Sequence, residues 1–526
     1  MPPPEAPTNQ SSPPQPPSAP GRWASRLTLL LLLAAGTAIR LVGLASKPFW
    51  FDECFSTEVA RIDWRSFLHL LWWREANMSL YYLLLRIWLH VGPRHGQSEF
   101  FIRSLSVVMA AVAIPTIYWL ARLLYDRRVA LTAAALLTFN AYSVRYAQEA
   151  RSYALFLLLA TLSSGFLIAY LREPERRFRM WYILASILAV YAHLYALLLV
   201  AVHWLVLRWL GSPSHRTEES RARISVDLRR AWRTIALAVL PLLIFVAKTG
   251  TGPIRWIPRP GMHDLLRFFE NLAGSNGWPL PAMYAVACIA AVAPLEKRLW
   301  ARNPTWETWR CQFLLVWLFF PILLTVVLSF ARPVFLARYM IFCLPALLIL
   351  VAAGLSRLRR GWLLAAVLAG VLLFCSQGVF FVYGHDFDTE RDASGAATNF
   401  ILDQIQPGDA ILFHIAETRV PYEFFRSLRT GKNTASPDFA ASLGPEILLP
   451  RHGPGLDYRD FTGKPTEDLL RSAASSHSRM WIMLMYNETA DTPDPTTVMM
   501  NRVLPEVFPK MQRWHFVKVE VRLYSK

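Results

Sequence analysis

Repeated apolar runs of bilayer length leave this chain few ways to fold. A helix must present roughly 20 consecutive apolar residues to cross a hydrocarbon core about 30 Å thick. Within that core every backbone polar group must be paired internally, which favours helices. Such runs stand at 27–45, 100–121, 129–143, 152–171, 234–247, 279–295, 312–330, 335–354 and 362–383. The apolar stretch 181–210 is interrupted by Tyr191-Ala192-His193-Leu194-Tyr195. Read as a hairpin of two short helices with His193 at its tip, it keeps the basic stretches 172–179 and 212–233 on one side, as charge asymmetry favours. The expectation is a mainly α, polytopic helical bundle of about 11 transmembrane helices.

Composition narrows the class. Of 526 residues 54% are hydrophobic, 20 are Trp, and the mean hydropathy is +0.29. The net charge of +18 would suggest nucleic acid in a soluble chain. Here the cations sit between apolar runs, as at Arg122, Arg127, Arg128, Lys297, Arg298 and Arg357 to Arg360. That is the pattern of cytoplasmic loops, so no nucleic-acid partner is expected. Cys54, Cys288, Cys311, Cys343 and Cys375 lack metal-ligand spacing and read as small core residues. Residues 1–26 form a Pro-rich, disordered cytoplasmic tail on this reading. The first run lacks a small-residue cleavage site and reads as a retained anchor.

Two segments break the apolar pattern. Residues 46–99 mix charge with Trp, as in Arg61-Ile62-Asp63-Trp64 and Leu71-Trp72-Trp73, and are expected to form interfacial helices on the outer side. The run 79–91 could instead be a short insertion. From 384 to 526 apolar runs shorten. Helices are expected at 391–406 and 464–475, and strands at 409–415, 480–486 and 517–523, giving a small extracytoplasmic α/β domain. It contains neither a Gly-rich phosphate loop nor a nucleophile elbow, so the chemistry is assigned to the membrane part, 27–383.

With the amino terminus cytoplasmic, the outer side collects Asp52, Glu53, Glu149, Arg151, His193, Arg255, Arg259, Arg338 and Tyr339. Ionisable groups at a membrane boundary are costly and point to function. Carboxylates suit general-base work on a hydroxyl; arginines suit a phosphate gripped bidentately. Other readings stand beside this one: Glu53 and Arg151 could tie two helices through a buried salt bridge, and Arg255 and Arg259 could be headgroup anchors. Arg40 could snorkel to the interface or join the site.

At these residues the chain resembles the GT-C superfamily of membrane glycosyltransferases, in the branch of protein O-mannosyltransferases and aminoarabinose transferases. The resemblance rests on Trp50-Phe51-Asp52-Glu53, Leu80-Tyr81-Tyr82, Tyr146-Ala147-Gln148-Glu149-Ala150-Arg151-Ser152-Tyr153, Tyr191 to Tyr195, Trp256-Ile257-Pro258, and Arg338-Tyr339 followed by Pro345. It departs at Met78-Ser79, where many relatives carry a Pro-Pro pair. The resemblance implies a polyprenyl-phosphate-sugar donor, used at the outer leaflet of a bacterial inner membrane with inversion at the anomeric carbon. It implies Asp52 and Glu53 as the catalytic carboxylates, with Asp52 the general base. Arg151, Arg338, Tyr339 and Arg259 would contact the donor phosphate, and Glu149, His193 and Tyr82 would complete the site. The acceptor could be a protein, lipid or polysaccharide hydroxyl. Asp52, Glu53 and Glu149 could hold a divalent cation, but the resemblance points to metal independence and no cofactor is expected. A lipid-linked-sugar transporter or flippase is the rival reading, and it would favour internal repeats.

Overall fold

The structure is a computed structural model that describes residues 20–73, 75–92, 98–209, 211, 218–250, 257–298, 305–384, 391–432, 434, 443–449, 465–485 and 494–526. The tail at 1–19, Arg255 and Trp256 lie outside the described residues. The membrane part opens with α1 (Pro20–Leu41), followed by α2 (Phe51–Arg61), α3 (Trp64–Trp73) and α4 (Ser79–Val91). Next come α5 (Glu99–Leu124), α6 (Arg127–Phe139), α7 (Ala141–Ala147), α8 (Tyr153–Arg172), α9 (Arg176–Ala192) and α10 (Ala196–Trp209). It closes with α11 (Glu218–Thr249), α12 (Met262–Ala273), α13 (Pro279–Val292), α14 (Trp306–Ala331), α15 (Leu344–Leu355) and α16 (Gly361–Gly384). A 3-10 turn, Ala337–Cys343, runs directly into α15.

Every expected crossing is helical. Seven helices among the described residues are long and apolar enough to cross a membrane. Others are shorter: α6, with 13 residues, reaches only about 20 Å. The 181–210 stretch is two antiparallel helices, because Tyr182 Oη in α9 stands 3.4 Å from His203 Nδ1 in α10. Their junction is His193, Leu194 and Tyr195. α8 packs along both α5 and α9 and is buried on nearly every face, as a helix apolar all round must be. Polar side chains complete the ends of helices both long and short. Arg40 neither snorkels nor joins the outer cluster; it is buried and donates to the carbonyls of Leu137 and Thr138 at the end of α6. Gln148 donates to the carbonyls of Arg40 and Val42 beyond α1.

The 46–99 segment departs in part from an interfacial lie. α3 exposes Trp64, Leu68, Trp72 and Trp73, as an interfacial helix would. α2 is instead buried from Glu53 to Ala60 and packs on α4. Its charges are therefore interior, and each needs a partner.

The C-terminal unit runs α17 (Ser394–Gln404), β1 (Ala410–His414), α18 (Arg419–Thr430), β2 (Glu446–Leu449), α19 (Glu467–Ser476), β3 (Arg479–Met485), α20 (Pro495–Val507), β4 (Lys510–Phe516) and β5 (Val519–Ser525). The sheet order is β2-β1-β3-β5-β4; β2, β1 and β3 are parallel, and β5 and β4 antiparallel. Alternate residues face opposite sides of a strand. Leu412, Met480 and Ile482 accordingly pack with α19 and α20, while Ile411, Phe413 and Trp481 pack with α17. α18 belongs to both domains. Tyr422 joins the sheet core, whereas Val420, Phe424 and Phe425 enter the core of the membrane part, and Phe424 stacks on Phe49 at 5.1 Å.

α13 and α15 pack so closely that a Cβ on Gly354 would lie 1.8 Å from the Ala287 carbonyl oxygen. Small residues at such crossings let membrane helices approach. Gly354→Val should destabilise the purified protein by about 1–3 kcal/mol, read as a lower melting temperature in detergent. Unchanged melting would mean that the helices part without cost.

Candidate active site

α2 places two adjacent carboxylates in its first turn, where the helix dipole favours negative charge. Consecutive helical residues point about 100° apart, and the two are used differently. Glu53 faces inward and is fully buried. Arg103 of α5 grips it bidentately, Nε to Oε1 at 2.8 Å and Nη2 to Oε2 at 2.6 Å. Arg103 also donates to the carbonyls of Leu44, Lys47 and Pro48, while Glu53 Oε1 accepts the Ala150 N–H at 2.8 Å. One ion pair thus gathers α2, α5, the turn after α1 and the loop before α8. With both oxygens occupied, Glu53 does not share a pocket with Asp52.

Asp52 faces that pocket, its side chain 19% exposed. Its Oδ2 stands 3.5 Å from Arg151 Nη2 and 3.8 Å from Arg338 Nη2. Both exceed the roughly 2.7–2.9 Å of a charge-assisted hydrogen bond, and Oδ2 has no hydrogen-bond partner. Arg151 Nη1 reaches the Asp52 carbonyl and Ser56 Oγ, each at 3.4 Å. Burial works against the Arg151 charge, but the facing Asp52 carboxylate outweighs it and holds the guanidinium above its ordinary range. Arg338 lies over the Trp50 ring at 5.6 Å.

An aromatic wall completes the pocket. The Tyr339 ring meets His193 at 4.7 Å, Tyr195 at 5.0 Å and Tyr153 at 6.5 Å, and His193 stacks on Phe156 at 5.0 Å. Tyr153 Oη and His193 Nε2 are buried without hydrogen-bond partners. Tyr82 is buried on α4, edge-on to Phe55, within electrostatic reach of Arg151.

Asp52, Arg151, Arg338, Tyr339 and His193 therefore converge from four distant stretches of the chain. Glu149 lies aside: Arg391 of the C-terminal domain pairs with it at 3.1 Å and Arg145 at 4.0 Å. Arg259 is exposed ahead of α12 and makes no ion pair among the described residues. Asp52, Glu53 and Glu149 are matched to different arginines rather than to one another. Among the described residues no group of three His, Cys, Asp or Glu side chains could hold a metal ion.

Sequence reasoning missed Arg103, Tyr153, Arg391 and Asp392. Arg103 did carry a signal, as a cation inside an apolar run. Tyr153 sits within the Tyr146–Tyr153 motif. Arg391-Asp392 follows the last apolar run with nothing in its composition to mark it. Chemically, the site offers a partly exposed carboxylate, two guanidiniums 3.5 and 3.8 Å from it, and aromatic faces with unbonded polar tips.

No protein-family model matches the chain, and no curated protein matches it by sequence. Solved structures do. The chain is similar to ArnT from Cupriavidus metallidurans in the apo state, with a TM-score of 0.58 and 13% identity over 96% of this chain and 98% of that one. The same protein bound to undecaprenyl phosphate superposes with a TM-score of 0.54. The archaeal oligosaccharyltransferase AglB from Archaeoglobus fulgidus, in complex with an inhibitory peptide and a dolichol-phosphate, gives a TM-score of 0.54 at 9% identity. It covers 90% of this chain and 70% of that one. The chain has the GT-C fold.

The two neighbouring carboxylates should separate by stability. Glu53→Gln leaves a buried Arg103 without its counter-charge, a loss of about 3–5 kcal/mol. Asp52→Asn removes only long, partly exposed contacts and should melt much closer to the unaltered protein. Equal melting temperatures for the two variants in detergent would contradict this division.

Proposed function

We propose that the chain is an integral-membrane glycosyltransferase that moves a sugar from a polyprenyl-phosphate-linked donor to a hydroxyl acceptor at the outer face of the membrane. The observation that carries the reading is the unbonded Asp52 Oδ2 between Arg151 and Arg338. It stands in a fold whose solved examples include proteins with undecaprenyl phosphate or a dolichol-phosphate bound. A bacterial inner membrane, with the site and the C-terminal domain extracytoplasmic, is part of the proposal.

The donor phosphate would enter between the two guanidiniums, whose fork geometry suits its oxygens. As they turn toward it, Asp52 loses part of their attraction and becomes the better base. Asp52 then takes the acceptor hydroxyl proton while that oxygen attacks the anomeric carbon from the face opposite the phosphate. The new C–O bond forms, the bond to the phosphate oxygen breaks, and its electron pair leaves with the polyprenyl phosphate. This displacement inverts the anomeric centre. Arg151 and Arg338 meet the charge that develops on the leaving group, where preorganised cations count most. Glu53 serves indirectly, because its pair with Arg103 fixes the helix that aims Asp52. Tyr153 Oη and His193 Nε2 are placed to meet sugar or acceptor hydroxyls. The acceptor class, protein, lipid or polysaccharide, is left to assay.

The test is release of polyprenyl phosphate and labelled sugar transfer by the purified protein in lipid nanodiscs. Asp52→Asn should lower transfer by about 100-fold or more while donor binding persists. Arg338→Ala should lower it by about 100-fold, and Arg338→Lys should restore little, because a point charge lacks the fork. Arg151 and Arg338 would supply the charge neutralisation that a divalent cation otherwise provides, so transfer should survive excess EDTA. Donor binding without transfer by the unaltered protein would contradict the reading and favour a carrier.

A further inference from the structure

The first described residues of the C-terminal domain, Arg391 and Asp392, hold the two segments that carry Asp52 and Arg151. Asp392 Oδ2 accepts the backbone N–H of Phe51, the first residue of α2, at 2.9 Å. Its Oδ1 accepts the Ser394 N–H at 3.3 Å and the Ser394 hydroxyl, so the carboxylate is itself locked. The N-cap residue of α2, Trp50, offers no side-chain cap. The cap that a local Ser, Asp or Asn would ordinarily give comes from a residue distant in sequence. Arg391 pairs with Glu149 at 3.1 Å, each side chain only 3% exposed, and the Glu149 carbonyl accepts the Arg151 N–H at 2.8 Å. Two adjacent residues of the C-terminal domain thus fix one point next to Asp52 and another two residues from Arg151.

We propose that Arg391 and Asp392 are positioning residues through which the C-terminal domain sets the Asp52–Arg151 separation, 3.5 Å in this structure. The inference rests on the reading of Asp52 as base and Arg151 as phosphate ligand. It gives the C-terminal domain a part in the chemistry although, among the described residues, it supplies none of those facing Asp52 Oδ2.

The experiment compares full-length Asp392→Ala, Asp392→Asn, Arg391→Glu and the double variant Arg391→Glu with Glu149→Arg, in nanodiscs with a polyprenyl-phosphate sugar. Rate, donor KM, polyprenyl phosphate affinity and hydrogen exchange of the 48–58 peptide are measured. Asp392→Ala should lower kcat by about 100-fold, the scale of a misplacement near 1 Å, with donor KM and affinity nearly unchanged because both phosphate-facing arginines remain. Exchange in the first turn of α2 should quicken, while peptides of the membrane helices exchange as before. Asp392→Asn keeps one acceptor for the Phe51 N–H but gives up the bond from the Ser394 N–H, so it should retain clearly more of the rate than Asp392→Ala. Arg391→Glu should lose rate, and the charge-swapped pair should regain it. An unaltered kcat in Asp392→Ala would overturn the inference and leave the functional reading standing. So would loss of rate, donor affinity and thermal stability together in both Asp392 variants, since that marks a merely structural role. Absence of transfer by the unaltered protein would overturn the functional reading first and the inference with it.

Discussion

The bidentate pair between Glu53 and Arg103 is the contact on which the arrangement around Asp52 depends. Both groups are fully buried, so neither can be left alone without the cost of an uncompensated charge. The pair is closed further by three carbonyls and one amide, leaving no competing arrangement for either side chain. Its consequence is directional. Once Glu53 is committed inward, helical geometry turns Asp52 toward the pocket, where its carboxylate meets two cations at distances that an incoming anion can exploit.

The same logic of committed polar groups runs through the rest of this region. Arg40 and Gln148 complete carbonyls at the ends of α6 and α1. Asn140 donates to the carbonyls of Leu272 and Ala273 while accepting from Ser143. The last carbonyls of a helix have no partner within it, so where water is scarce they need such side chains. Asp52 Oδ2, Tyr153 Oη and His193 Nε2 are buried without a hydrogen bond, and their side chains are linked through Arg151, Arg338 and Tyr339.

What the sequence made legible was whatever depends on local pattern. Apolar runs located the long helices, and the break at Tyr191 to Tyr195, with His193 at its tip, located the junction of α9 and α10. Patterning also found β1, β3 and β5, which alternate or run apolar. It missed β4, whose residues are mostly exposed, and β2, a short edge strand. It missed α18, whose apolar face at Val420, Phe424 and Phe425 serves the membrane part rather than its own sheet. Pairing is tertiary and left no local trace. Which arginine answers Glu53, and which answers Glu149, follows only from how α5 and the C-terminal domain pack. For that reason the three carboxylates Asp52, Glu53 and Glu149, alike in sequence, differ in space: Glu53 pairs with Arg103 and Glu149 with Arg391. The convergence of Asp52, Arg151 and Arg338 is legible from loop charge asymmetry, which puts all three on one side, while their roles come from the resemblance of ordered motifs.

The central claim is that a lipid-linked phosphate sits between two arginines with Asp52 across the sugar from it. A structure of the full-length protein with polyprenyl phosphate bound, determined by cryo-electron microscopy in nanodiscs, tests it most directly. The account predicts phosphate oxygens within about 3 Å of the guanidinium nitrogens of both Arg151 and Arg338, with the Asp52 carboxylate facing the space left for the sugar. A phosphate seated away from both arginines, with Asp52 still paired to them, would contradict it.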